Sequence, residues 1–280
     1  MLYSLWLPPP EVVELTPVSS PPHTFLNGGI KSQNPYPRRL HITHSAMNDK
    51  SSPQLVKAVA IINQAGLIHR VLRPSSEQPA PAIVMLHGRS GNEDVMWVFA
   101  KSCPPGWLLV APRAIKPDPD GGYAWHPRSQ DEWPSLAQFD DAVTAVTRFI
   151  HALPTLYNAD PQRIYLMGFS QGAATAYATA MRQPGLVQGI AGLVGFAPED
   201  WEAEVETAVL RDLPIFMAVG REDALIPYER AQLCAQTLRT AGADLTYREY
   251  ETGHRLDAAG SRDLKTWWAG RQRGIENSTD

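Results

Sequence analysis

Two cysteines in 280 residues, Cys103 and Cys234, permit one disulfide at most. Neither belongs to a Cys-x-x-Cys pair or to a cysteine/histidine cluster with metal-ligand spacing, so a disulfide scaffold and a zinc module are excluded. Free thiols in a reducing compartment, the cytoplasm, are the expectation. A basic excess is missing too: 25 Lys and Arg stand against 29 Asp and Glu, a net charge of −4. Nothing in that balance would draw the chain to nucleic acid or to an anionic membrane surface. No apolar run approaches the roughly 18 residues that a spanning helix needs, so no integral membrane segment is expected. Residues 1–7 are apolar but lack a basic lead and run into Pro8-Pro9-Pro10, which argues against an export signal. No short period runs through the chain, which excludes collagen and coiled-coil designs. What is present is a 44% hydrophobic fraction, enough for a sizeable globular core.

The first 46 residues hold eight of the 25 prolines and five charged side chains, with no pattern that would bury a face. Residues 1–46 read as a disordered tail, or as upstream sequence with the true start at Met47, and residues 47–280 as one domain. From residue 58 onward, apolar runs of strand length alternate with amphipathic segments. Residues 58–62 and 67–73 flank Asn63-Gln64-Ala65-Gly66 and suggest a hairpin with Gly66 in its turn. Strands are expected at 82–86, 107–111, 163–167, 189–196, 215–219 and 246–251. Helices are expected at 171–182, 228–240 and 256–268, and one capped by Ser135. The last carries Leu136, Phe139, Val143, Val146, Phe149, Ile150 and Leu153 at three- and four-residue steps, a stripe that belongs in a core. Such alternation predicts an α/β fold, a mainly parallel sheet with helices on both faces, because parallel neighbours need a crossover.

In such a sheet, chemistry belongs at the carboxyl ends of the strands. Ser170 stands there in Gly168-Phe169-Ser170-Gln171-Gly172, between a strand and a helix, where flanking glycines let the backbone turn sharply and lift the hydroxyl above the sheet. Asp223 follows Val219-Gly220, and His254 follows the last strand. A serine hydroxyl is a poor nucleophile at neutral pH, so a neutral imidazole must take its proton and a carboxylate must fix the imidazole tautomer. Ser170, His254 and Asp223 fit those three roles, with Glu222 and Asp200 as other candidates for the acid. Activity should then rise with pH around the reference imidazole value of about 6.5. Two amides are needed for the oxyanion, those of Gln171 and of Arg89 in the loop after strand 82–86. Among the remaining histidines, His87 is expected to shape that loop, while His126 and His151 have no partner pattern. Trp97, Trp125 and Trp133 can line a groove or pack in the core equally well.

Four separated blocks carry a family resemblance: Met85-Leu86-His87-Gly88, residues 166–173 around Ser170, residues 220–227 around Asp223, and residues 250–254 ending in His254. From about Leu67 to Trp268 the chain resembles the phospholipase/carboxylesterase family of α/β-hydrolases, which contains acyl-protein thioesterases and small bacterial carboxylesterases. The resemblance implies the α/β-hydrolase fold, the Ser170, Asp223, His254 triad and the Arg89 and Gln171 oxyanion donors. It also implies that the loop 121–125, through Tyr123 and Trp125, borders the substrate pocket. One departure is Ser90-Gly91-Asn92-Glu93, where thioesterase members usually carry a Gly-Asp pair, which counts against that subgroup. The implied function is a serine esterase that cleaves carboxylic esters, thioesters or lysophospholipids through an acyl-enzyme, with no metal and no cofactor. Its partner would be a small-molecule or lipid ester, with a homodimer left open. The competing readings are a peptidase or amidase of the same fold and a catalytically inactive, hydrolase-like binding protein. A dienelactone-type hydrolase would want cysteine in place of Ser170.

Overall fold

The computed structural model describes residues 52–127 and 133–276, so the tail expected over residues 1–46 lies outside the described residues. The first described elements differ from expectation. Strand β1 (Gln54–Val56) precedes helix α1 (Val59–Ala65), and β2 (His69–Leu72) follows it. The run taken as the first arm of a hairpin is therefore a helix. Gly66 adopts φ 83° and its N–H donates to Ile62 O, closing α1 as a left-handed C-cap. The same glycine signal serves a turn or a helix end, and Ala65 packed in the core selects the helix. The antiparallel partner of β2 is β1, which begins four residues upstream of the run expected to pair with it.

Strand β3 (Ala80–Leu86) and β4 (Leu108–Pro112) follow, with a 3₁₀ helix (Val95–Ser102) between them. A small ribbon of β5 (Lys116–Pro117) and β6 (Tyr123–Ala124) leads to a 3₁₀ turn (Leu136–Phe139) and helix α2 (Asp140–Tyr157). Ser135 caps this turn in a reciprocal box with Gln138, whose side-chain oxygen accepts the Ser135 amide at 2.9 Å. All seven residues of the apolar stripe are buried. The remainder alternates as expected: β7 (Ala159–Phe169), α3 (Gln171–Arg182), β8 (Ile190–Leu193), β9 (Pro214–Gly220), α4 (Tyr228–Thr240), β10 (Asp244–Tyr250) and α5 (Ala258–Glu276).

Eight strands form one sheet in the order β1-β2-β4-β3-β7-β8-β9-β10. Pairing is antiparallel at β1/β2 and β2/β4 and parallel from β4 to β10. Its inner strands are apolar on both faces, and the period of two divides their side chains between two cores. Val84, Leu86, Val110, Leu166 and Met217 join the core that takes in α2, α3 and α4, whereas Ile83, Met85, Leu109, Met167 and Phe216 face Leu264 and Trp268 of α5. Helix α3 lies deepest. Every residue from Gln171 to Met181 is buried, and small Ala, Gly and Thr side chains let it approach the sheet closely. Its two buried threonines satisfy their hydroxyls on carbonyls one turn back, Thr175 on Gln171 at 2.9 Å and Thr179 on Thr175 at 2.8 Å.

Candidate active site

Ser170 sits between the end of β7 and the start of α3 with φ 54° and ψ −118°, a conformation that L-residues rarely hold and that costs about 1–3 kcal/mol. Three hydrogen bonds impose it: the Ser170 amide donates to Leu193 O at 2.8 Å, and Ser170 O accepts Ala173 N at 2.9 Å and Ala174 N at 3.3 Å. The turn is sharp because α3 presses onto the sheet. A Cβ at Gly172 would lie 2.0 Å from Leu86 O, and one at Gly168 would lie 2.3 Å from Gly172 O. Both flanks of the serine must therefore be glycine.

The loops after β9 and β10 run side by side, with Arg221 N donating to Tyr250 O at 2.9 Å and Glu222 N to Thr252 O at 3.1 Å. This lacing brings Asp223 to His254. Of the three acids considered from the sequence, Asp223 is the one bonded to the imidazole, with His254 Nδ1 2.7 Å from Asp223 Oδ2. A carboxylate only accepts, so Nδ1 carries the proton and Nε2 is left as the base. The carboxylate is buried and accepts the Leu225 and Ile226 amides through Oδ1 at 2.8 and 2.9 Å. The His254 ring stands edge-on to Phe169, the neighbour of the serine, at 5.2 Å between centroids.

Ser170 and His254 line one cavity of about 490 Å³ together with Gly88, Arg89 and Gln171. No hydrogen bond joins the Ser170 hydroxyl to the His254 ring among the described residues. The Arg89 and Gln171 amides likewise make no hydrogen bond among them, which leaves both N–H groups available as donors. The loop that carries Arg89 is braced from below. The His87 ring, fully buried, bridges Gly88 O at 2.6 Å and the Ala114 amide at 3.0 Å, and the Trp125 indole donates to His87 O at 2.8 Å. Burial drives the His87 pKa down to about 4, so the ring is neutral there. Arg89 reaches outward to Asp118 at 2.7 Å, and Glu93 receives Arg113 in a fork of 2.7 and 2.6 Å.

Two expectations need correction. Trp125 is 0% exposed, and Tyr123 stacks under the Arg113 guanidinium and bonds it through its hydroxyl at 3.1 Å. Neither lines the cavity; both hold the loop that carries Arg89 from behind. The walls are instead formed by Phe169, Phe196, Trp133, Leu225, Ile226 and His126. Apart from Trp133, none of these was singled out as a wall from the sequence, since they come from four separate segments with no common spacing. The Gln171 side chain was also missed: its oxygen accepts the Trp125 amide at 2.8 Å and its nitrogen donates to His126 O at 3.2 Å, tying loop 125–126 to the serine's neighbour. Cys103 and Cys234 are buried and unpaired, with burial pushing both thiols up to about 12. Among the described residues no group of three or more His, Cys, Asp or Glu is placed to hold a metal ion, and no helix is long and apolar enough to cross a membrane.

Strand order, the serine turn and the Ser, Asp, His chain order together define an α/β-hydrolase architecture. The chain belongs to the phospholipase/carboxylesterase family, which it matches over residues 68–269. It is 32% identical over 93 residues to acyl-protein thioesterase 1 of Gibberella zeae, a stretch covering 32% of this chain and 40% of that protein. It is 27% identical over 128 residues to a probable inactive carboxylesterase of Oryza sativa subsp. japonica, covering 44% and 52% respectively. The chain thus spans about half the length of these curated relatives. Its fold is that of the Bacillus cereus carboxylesterase crystal structure, with a TM-score of 0.66 at 18% identity over 77% of this chain and 99% of the other.

Proposed function

We infer that this chain is a serine hydrolase that cleaves carboxylic esters through an acyl-enzyme on Ser170. The observation that carries this reading is the 2.7 Å bond between His254 Nδ1 and Asp223, made beside a serine held on a strained turn that faces the same cavity. As an ester enters, the Ser170 hydroxyl closes on His254 Nε2, a contact that free enzymes often hold long or misaligned. His254 takes the proton while Ser170 Oγ attacks the carbonyl carbon, and the charge that develops on the carbonyl oxygen is met by the Arg89 and Gln171 amides. Collapse of the tetrahedral intermediate breaks the ester bond, and the imidazolium returns its proton to the departing alcohol. Water then attacks the acyl group with His254 again as base, releasing the acid and restoring Ser170. Asp223 keeps its charge throughout and stabilises the imidazolium.

Family membership and the mostly apolar cavity wall support an ester with a hydrocarbon acyl part, and thioesters and lysophospholipids fall within the same chemistry. The two unpaired thiols support a cytoplasmic setting. The test is fluorophosphonate labelling together with turnover of nitrophenyl esters from acetate to palmitate, on wild type and Ser170→Ala. Labelling and turnover that both vanish in the variant are expected. Folded wild-type protein that neither labels nor turns over any ester would make the chain a binding protein on a hydrolase scaffold. Amide turnover matching ester turnover would make it an amidase.

A further inference from the structure

An amide reserved for an oxyanion cannot be fixed by a hydrogen bond of its own within the protein, so the placement of Arg89 N–H has to come from its neighbours. Gly88 before it has no side chain to anchor. Ser90 after it sits at φ 59°, in the left-handed region that non-glycine residues seldom hold. What grips this segment is the turn 118–122 between β5 and β6. Tyr123 N donates to Gly91 O at 2.8 Å, and the turn lies so close that a Cβ at Gly122 would stand 2.2 Å from Ser90 O.

Asp118 opens that turn. Its amide donates to Gly122 O at 3.0 Å, its carbonyl accepts Gly121 N at 3.0 Å, and its Oδ1 accepts Asp120 N at 2.9 Å. The same carboxylate, on a side chain 2% exposed, receives Arg89 Nε at 2.7 Å on Oδ2 and Arg89 Nη2 at 3.3 Å on Oδ1. Two prongs fix a guanidinium in direction as well as in distance. Asp120, whose side chain is 67% exposed, adds a looser contact of 3.6 Å to Arg89 Nη2. The Arg89 guanidinium holds the Asp118 carboxyl below the usual carboxylate range against the effect of burial, so the pair is ionised at neutral pH.

We propose that Asp118 is a positioning residue: by gripping the Arg89 side chain it holds the Arg89 amide where the oxyanion develops. This deepens the serine-hydrolase reading above and rests on it. Asp118 touches no reacting atom in that reaction and acts through Arg89 alone. Because the amide meets full charge only in the transition state, loosening the grip lowers kcat and leaves KM in place.

The measurement is kcat and KM for a nitrophenyl ester, beside a thermal melt, on wild type, Asp118→Ala, Asp118→Asn and the double variant Arg89→Met/Asp118→Ala. Asp118→Ala should lower kcat by about 10- to 100-fold while KM stays within about twofold. Asp118→Asn, which keeps an acceptor for Arg89 Nε, should recover part of the loss. In the double variant kcat should fall no further, since the grip is already gone and the amide itself remains. Butylboronic acid gives a readout that packing alone does not move. The Ser170 oxygen adds to boron, its proton passes to His254, and the tetrahedral borate places an oxygen where the oxyanion would lie, so Ki should rise by about the factor by which kcat falls.

A lower melting temperature with kcat and Ki unchanged would leave Asp118 a structural residue only. A raised KM at unchanged kcat would make the ion pair part of substrate binding, and a further fall in the double variant would show the guanidinium acting by itself. Each of these overturns the proposal. If Asp118→Ala does not fold, the split between kcat and KM in Asp118→Asn decides at smaller amplitude. The two readings fail separately: ester turnover lost in Ser170→Ala but insensitive to Asp118→Ala sinks only the role of Asp118. Wild-type protein without turnover, labelling or boronate binding sinks the hydrolase assignment, and with it the oxyanion that Asp118 would serve.

Discussion

His254 Nδ1 donates to Asp223 Oδ2 at 2.7 Å while the other oxygen of the same carboxylate is pinned by the Leu225 and Ile226 amides at 2.8 and 2.9 Å. The carboxylate therefore cannot turn away from the imidazole without losing two backbone bonds. The orientation of the His254 ring is thereby built into the loop after β9.

Replacing Asp223 by Asn keeps an acceptor for those amides but turns an N–H towards His254, so the imidazole must put its hydrogen on Nε2, the atom that is to act as base. On the proposed mechanism kcat in Asp223→Asn falls on the order of 10³- to 10⁴-fold while the fold survives. Steady-state turnover of a nitrophenyl ester, run beside a thermal melt, checks it. A loss below tenfold with the melt unchanged would remove Asp223 from the reaction.

One substitution made in two helices should act with opposite sign. Gly172→Ala places a methyl 2.0 Å from Leu86 O and 2.6 Å from His87 O, both backbone atoms beneath the serine turn. Gly270→Ala, in α5, meets nothing within 4 Å. Alanine is ordinarily the better helix former by about 1 kcal/mol, so Gly270→Ala should raise the urea midpoint. Gly172→Ala should lower it by several times that amount and take ester turnover with it. A Gly172→Ala protein as stable and active as wild type would mean that α3 does not press on the sheet in this way.

Much of this architecture could be read in the sequence because it rests on short-range signals. Helices α3 and α4 fall at residues 171–182 and 228–240 as expected, and the parallel strands are runs such as Ile-Val-Met-Leu that both cores require. Residues 58–62 read as a strand because Val and Ile favour one. A seven-residue helix forms there instead, closed by Gly66 in the left-handed conformation and burying Ala65. Trp125 and Tyr123 are placed by tertiary contacts with His87 and Arg113, 38 and 10 residues away, and no local pattern encodes those partners. Asp118 escaped for the same reason: what marks it is its bond to Arg89, 29 residues away, which only the packed structure displays.

The Gln171 side chain is expected to matter independently of its backbone amide. In Gln171→Leu the amide remains at the start of α3, but the buried Trp125 N–H and His126 C=O lose their partners at 2.8 and 3.2 Å. Such orphaned groups cost about 1–3 kcal/mol in stability. Release of loop 125–126 beside the serine should also lower kcat/KM, by up to about 100-fold where reacting groups shift by an ångström. Chemical denaturation and ester kinetics on the same preparation check both effects. An unchanged midpoint would show that the side chain does not anchor that loop.

His87 makes stability depend on pH. Burial lowers its pKa from 6.5 to about 4, against the raising influence of the Gly88 carbonyl and Glu93 and with a smaller lowering from Arg113. Below 6.5 the unfolded chain takes up the proton and the folded one refuses it, so the unfolded state binds more protons and stability rises with pH across this window. The contribution is fully present above 6.5 and is lost as pH falls towards 4. It amounts to about 2 kcal/mol lost by about pH 5 and about 3 kcal/mol at the acid limit. His69 and His126, whose pKa values burial also lowers, act in the same direction. Urea midpoints at about pH 7.5 and about pH 5 should therefore fall together with pH in wild type, and by a smaller amount in His87→Gln, where nothing titrates at that position. Carboxylates that protonate in the same range act on both proteins alike, so the difference between the two slopes isolates His87. Equal slopes would mean that the ring beneath the loop that carries Arg89 takes up its proton in the folded state as readily as in the unfolded one.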